Sequence, residues 1–97
     1  MSRHIVLFSL TAPQKTMEKS MEVLRSMKEK VPQIRDISVG ADLLHSDRSS
    51  DLCLEVTVDD LEALEAYQRD AYHCNVVKPW MHAVRKSSVT VDYELSE

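Results

Sequence analysis

Few side chains in this 97-residue chain do chemistry unaided near neutral pH: four histidines, His4, His45, His73 and His82, and two cysteines, Cys53 and Cys74. An imidazole titrates at about pH 6.5 and can take or give a proton without a cofactor. Metal chemistry asks for tighter spacing. His4, Asp70 and His73 are suitable ligand types, but no two stand at the i, i+4 interval of a dedicated helical pair, so no metal site is expected. The cysteines lack metal spacing and read as two reduced, packed thiols rather than a disulfide. His45 and His82 have no partner at a useful spacing and receive no role. Gly40 is the only glycine, which excludes the glycine-rich phosphate loops of dinucleotide-binding and Walker-type proteins.

Charge narrows the classes further. Twelve bases against sixteen acids leave a net charge of -4 and a pI near 5.5, whereas nucleic-acid binders carry a basic stripe that releases phosphate counterions. The densest basic stretch, residues 78–86, holds only Lys78, Arg85 and Lys86 and reads as a solvated helix face. The longest apolar run, residues 5–8, is far below the roughly 20 residues that span a bilayer. Neither nucleic acid nor membrane is an expected partner, and with no secretion signal read ahead of that run a cytoplasmic location is expected.

The elements that must position these side chains follow from periodicity. Residues 3–10 form an expected first strand, apolar on both faces through Ile5, Val6, Leu7 and Phe8. Pro13 suits a first helical turn, and Met17, Met21, Leu24, Met27 and Val31 recur at helical intervals before Pro32. Ile37, Val39, Ala41 and Leu43 alternate with polar residues as a second strand. The polar stretch at residues 45–51 is a loop, and Leu52, Leu54, Val56 and Val58 mark a third strand. Asp59 and Glu62 have capping-box spacing ahead of a second helix with Leu61, Leu64 and Tyr67. Residues 71–86, containing Pro79 and Trp80, read as a short helical or irregular connection with a break. Val89, Val91, Tyr93 and Leu95 close the chain as a fourth strand. Gly40, inside the second strand, predicts a bulge or the close approach of another backbone.

The order βαββαβ predicts an α+β protomer in one domain, residues 1–97, with an antiparallel four-stranded sheet and both helices on one face. The other face cannot stay wet, because the first strand is apolar on both sides. A chain of this size buries only about 60–65% of the surface that its unfolded form exposes, and covering a second apolar face is its largest remaining gain. A homodimer, sheet against sheet, is expected.

Residues 3–8 (Arg-His-Ile-Val-Leu-Phe), the helix at 61–67 (Leu-Glu-Ala-Leu-Glu-Ala-Tyr), His73 and the closing Val91-Asp92-Tyr93 resemble the stress-responsive dimeric α/β barrel (Dabb) family over nearly the whole chain. The resemblance implies ferredoxin-like protomers whose sheets pair into a shared barrel, with helices outside. Function varies in that family: some members are linked to stress responses, and one, olivetolic acid cyclase, is a plant polyketide cyclase. The family pattern Tyr-x-x-His-Pro-x-His reads here Tyr67-Gln-Arg-Asp70-Ala71-Tyr-His73, so tyrosine and final histidine are retained while Asp70 and Ala71 replace a histidine and a proline. By resemblance Tyr67 and His73 are the catalytic pair. His4 matches a pocket-lining histidine. Val6 and Phe8 share its strand face, and Asp92 lies in the family's ending, which implies a ligand site of His4, Val6, Phe8 and Asp92.

Such a pair would abstract a proton next to a carbonyl, His73 as base and Tyr67 as hydrogen-bond donor to the developing enolate oxygen, with no cofactor. Six residues of α-helix turn through about 240°, so the two side chains diverge unless the helix breaks between them. Ala71 lets the helix continue, which would place Asp70 beside His73 and favour the imidazolium, a poor base. The expected function is therefore a homodimer binding a small apolar or carbonyl-bearing molecule. The alternatives are a cofactor-independent cyclase, lyase or isomerase acting through an enolate, and a monooxygenase-like enzyme using His73, Asn75 and Trp80.

Overall fold

A computed structural model describes residues 1–96 and gives four strands, β1 (Ser2–Leu10), β2 (Asp36–Ala41), β3 (Leu52–Val58) and β4 (Arg85–Glu94). They form one antiparallel sheet in the order β2-β3-β1-β4. The long helix α1 (Pro13–Lys30) connects β1 to β2, and α2 (Leu61–Arg69), a π-helical turn (His73–Val77) and α3 (Lys78–Val84) connect β3 to β4. The antiparallel four-stranded sheet expected from the βαββαβ order is the one observed, and it gives the ferredoxin-like protomer that the resemblance implies.

Alternation fixes which side of each strand meets the helices. His4, Val6, Phe8 and Leu10 of β1 and Leu52, Leu54, Val56 and Val58 of β3 are all buried, and the register sets His4 opposite Val56 and Val6 opposite Leu54. Helix α1 lays Leu24 and Met27 on this surface. It starts on Pro13, whose missing N–H costs nothing in a first turn. It stops at the extended Val31, because the residue before Pro32 is disfavoured in the helical region.

Three local expectations are corrected. Asp60, not Asp59, caps α2, its carboxylate accepting from the Ala63 backbone N–H at 2.8 Å. Asp59 instead receives both Nε and Nη2 of Arg35, at 2.7 and 2.9 Å. Gly40 makes neither bulge nor close approach within the protomer: it pairs in regular register with Cys53, and an added Cβ would meet nothing within 4 Å. The connection after α2 is not irregular, since residues 71–84 run helically throughout. Pro79 gives that run its wide turn. A proline ring clashes with the carbonyl four residues back, and the wider π-helical turn, in which the Lys78 N–H bonds the His73 carbonyl, accommodates it.

Candidate functional site

The helix does break between Tyr67 and His73, without the proline. Asp70 is the residue that breaks it: its backbone is extended, with φ -58° and ψ 137°. Its carboxylate accepts from the backbone N–H groups of Tyr72 and His73 at 2.9 and 3.2 Å. Aspartate is a good capping residue because its short side chain reaches the unpaired N–H groups of a helix start. The chain therefore ends one helix and opens the next across a single residue, and this turn brings the Tyr67 and His73 rings into a stack with centroids 4.4 Å apart and planes 19° apart. The expected continuous helix is thus corrected. His4 meets the same phenol ring edge-on at 5.6 Å, giving a cluster of three rings centred on Tyr67.

Hydrogen bonds fix the state of each ring. His73 Nδ1 lies 3.1 Å from the Tyr67 carbonyl oxygen. A carbonyl only accepts, so Nδ1 carries the proton and Nε2 keeps a free lone pair. Burial lowers the His73 pKa most and the charge of Lys78 lowers it next; the Tyr67 carbonyl raises it, His4 adds a smaller lowering, and Asp70 the smallest rise, which leaves the net shift downward. The imidazole is therefore held neutral, the reverse of the charging by Asp70 that the sequence suggested. The Asp70 oxygen is committed to backbone N–H groups. Burial, followed by the charges of Asp70 and Asp92, raises the Tyr67 phenol pKa, so its hydroxyl stays protonated. The partner of that hydroxyl is the Met27 sulfur at 3.8 Å, a weak acceptor. Asp92 is not a merely solvated acid: its Oδ1 accepts from His4 Nδ1 at 2.5 Å across β4 and β1, which leaves His4 Nε2 open as well.

A cavity of about 250 Å³ lies between the β1–β4 side of the sheet and the helical layer. Its lining includes all six residues singled out in the sequence: His4, Val6, Phe8, Tyr67, His73 and Asp92. Leu24, Met27, Leu54, Val77 and Met81 complete an apolar interior. The sequence reading missed Lys78, Arg85 and His82, which also line the cavity. The charge run at residues 78–86 is the available signal, and by itself it reads as a solvated face because nothing local shows that α3 and the start of β4 border one cavity. Asn75 and Trp80 do not line the cavity. Asn75 is exposed and Trp80 Nε1 donates to the buried Ser20 Oγ of α1 at 3.0 Å, so the monooxygenase-like grouping does not assemble. Among the described residues no three His, Cys, Asp or Glu side chains are placed to hold a metal, and no helix is long and apolar enough to cross a membrane.

Solved structures share this fold. A dimeric ferredoxin-like protein of unknown function from Thermobifida fusca is 23% identical, with 97% of this chain and 90% of that one covered and a TM-score of 0.84. A dimeric protein of unknown function from Bacteroides fragilis is 24% identical, with coverage of 97% and 95% and a TM-score of 0.84. The hydroxynitrile lyase of Passiflora edulis is 17% identical, with coverage of 99% and 94% and a TM-score of 0.83. At these identities the likeness establishes the fold. No curated protein matches the sequence significantly. The pattern of the Stress responsive A/B Barrel Domain matches residues 3–95, nearly the whole chain, and the protein belongs to that family.

Proposed function

We propose that the protein is a homodimer in which each protomer binds a small, largely apolar molecule carrying a carbonyl group. The observation that carries this reading is the cavity of about 250 Å³, in which His4, Tyr67 and His73 converge on an otherwise apolar interior. Its size is near the lower end of ligand pockets, and a few polar groups in an apolar lining are their usual composition. The Tyr67 hydroxyl, facing only a sulfur, is a donor still available to a ligand oxygen. Titration with acetophenone, followed by amide shifts, should move residues of β1, α2 and the π-helical turn. Val6→Trp, which fills the cavity, should abolish those shifts. Shifts elsewhere only, or none, would overturn the reading.

The dimer is supported by the apolar residues on the sheet's helix-free face. Leu7, Val89, Val91 and Tyr93 are between 38% and 61% exposed on two adjacent strands, a contiguous patch of the kind that marks an interface.

A second reading, proton abstraction next to the ligand's carbonyl, is favoured by one specific observation: His73 is neutral, with Nδ1 bound to the Tyr67 carbonyl and Nε2 free. In that reaction Nε2 takes the α-proton, and the Tyr67 hydroxyl donates a hydrogen bond to the enolate oxygen without giving up its proton. A hydroxynitrile lyase among proteins of this fold is in keeping with such chemistry. The assay is exchange of acetophenone α-protons in D2O. His73→Ala should reduce the protein-dependent rate to background with the dimer mass unchanged, and an undiminished rate would exclude His73 as the base.

A further inference from the structure

The polar groups of the cavity are unevenly placed. Deep in it stand the three rings around Tyr67. At the side formed by α3 and the start of β4 stand Lys78 and Arg85, both half-buried, with the exposed His82 between them in sequence. Neither cation is in an ion pair among the described residues. Arg85 Nη1 donates to the Ser88 hydroxyl at 2.8 Å, and Lys78 Nζ lies 3.4 Å from the Gln68 carbonyl, so both have only neutral partners. The one carboxylate in the lining, Asp92, is taken up by His4. In a chain of net charge -4, the fixed charges bordering this cavity are two cations and one engaged acid, an inversion of the protein's overall sign.

A half-buried cation without a counter-ion at the border of an apolar cavity is a receptor for an anion whose remainder is apolar. Low-dielectric walls strengthen the attraction, and an arginine fork matches the two oxygens of a carboxylate. We propose that the natural ligand is a small carboxylic acid bound as its anion, with an apolar body against Val6, Phe8 and Leu54 and the carboxylate at Lys78 and Arg85. This rests on reading the cavity as a ligand site and adds the ligand's charge to it.

The test uses two probes of nearly equal shape, 4-fluorophenylacetate and its neutral amide, 4-fluorophenylacetamide, titrated against the intact protein by fluorine NMR. The acid should bind on the order of tenfold more tightly at low salt, and that ratio should fall towards one in the double variant Lys78→Gln/Arg85→Gln. The ratio is insensitive to a general loosening of the cavity. Should the variant fail to fold, raising the ionic strength with the unaltered protein should erode the same preference. Equal binding of acid and amide would overturn the anion assignment and leave the cavity reading standing. A preference that survives both the substitutions and salt would overturn the assignment to Lys78 and Arg85. Binding of neither probe would overturn both readings.

Discussion

The two faces of the sheet are built from the same strands yet follow opposite rules. On the helix side β1 contributes buried His4, Val6 and Phe8, and neighbouring β4 sets against them Asp92, Thr90 and Ser88. On the helix-free side β1 contributes Ile5 and Leu7, and β4 sets against them Val91 and Val89. The fourth strand thus turns its polar side towards the protomer's own interior and its aliphatic side outwards. The polar side borders the cavity, where Ser88, Thr90 and Asp92 are lining residues. The aliphatic side has no cover within the protomer: Val89 is 61% exposed and Val91 53%. One strand therefore carries both halves of the proposed function, a wet wall for a ligand and a dry face for a second copy.

The largest expected effect separates those faces. Val91→Asp places a charge in the centre of the outward apolar patch, where a paired sheet would desolvate it. It should weaken self-association on the order of 100-fold, read as a shift to monomer mass by light scattering. A dimer that persists at unchanged strength would mean that this face is not the interface.

A smaller effect is expected on the helix side. Asp70→Ala removes the carboxylate that starts the helical run carrying His73 and should cost about 1 kcal/mol in urea denaturation. It should also weaken the exchange activity proposed for His73 more than Asp60→Ala, which removes a comparable cap at the far end of α2. Equal effects on exchange from the two cap losses would reduce Asp70 to a purely structural residue.

The smallest effect is in pH dependence. Burial lowers the folded-state pKa of His73 below its unfolded value. Below about pH 6.5 the unfolded chain therefore binds this proton more readily than the folded one. The associated stability is fully present above the unfolded pKa and is lost as pH falls through the folded one. Replacing His73 with glutamine should flatten that acid-side decline in melting temperature; a steeper decline would contradict the neutral, buried assignment.

Much of this was legible in local pattern. The period-two runs at Leu52–Val58 and around Val89–Tyr93 and the helical spacing of Leu24 and Met27 specify their elements, since side-chain direction in strands and helices follows from backbone geometry alone. The six site residues came partly from the resemblance, and the cavity contains them all. What failed locally did so for tertiary or competing-contact reasons. Asp59 looked like a cap until Arg35 claimed it, and Asp60 one residue later took the role. The missing proline at position 71 suggested an unbroken helix because the breaking power of Asp70 lies in where its carboxylate reaches, which spacing does not show. Lys78, Arg85 and His82 are unreadable as cavity residues because α3 and β4 come to border the same cavity as β1 only in the folded chain.

By itself, then, the sequence determined the elements, their order and the excess of apolar surface on the sheet, because these depend on periodicity and on the number of side chains that must leave water. The tertiary structure alone decided that Tyr67 stacks on His73, that Asp92 holds His4, and that two cations without counter-ions border an apolar cavity. Those are relations between residues far apart in the chain or across a helix break, and their distances are set by packing.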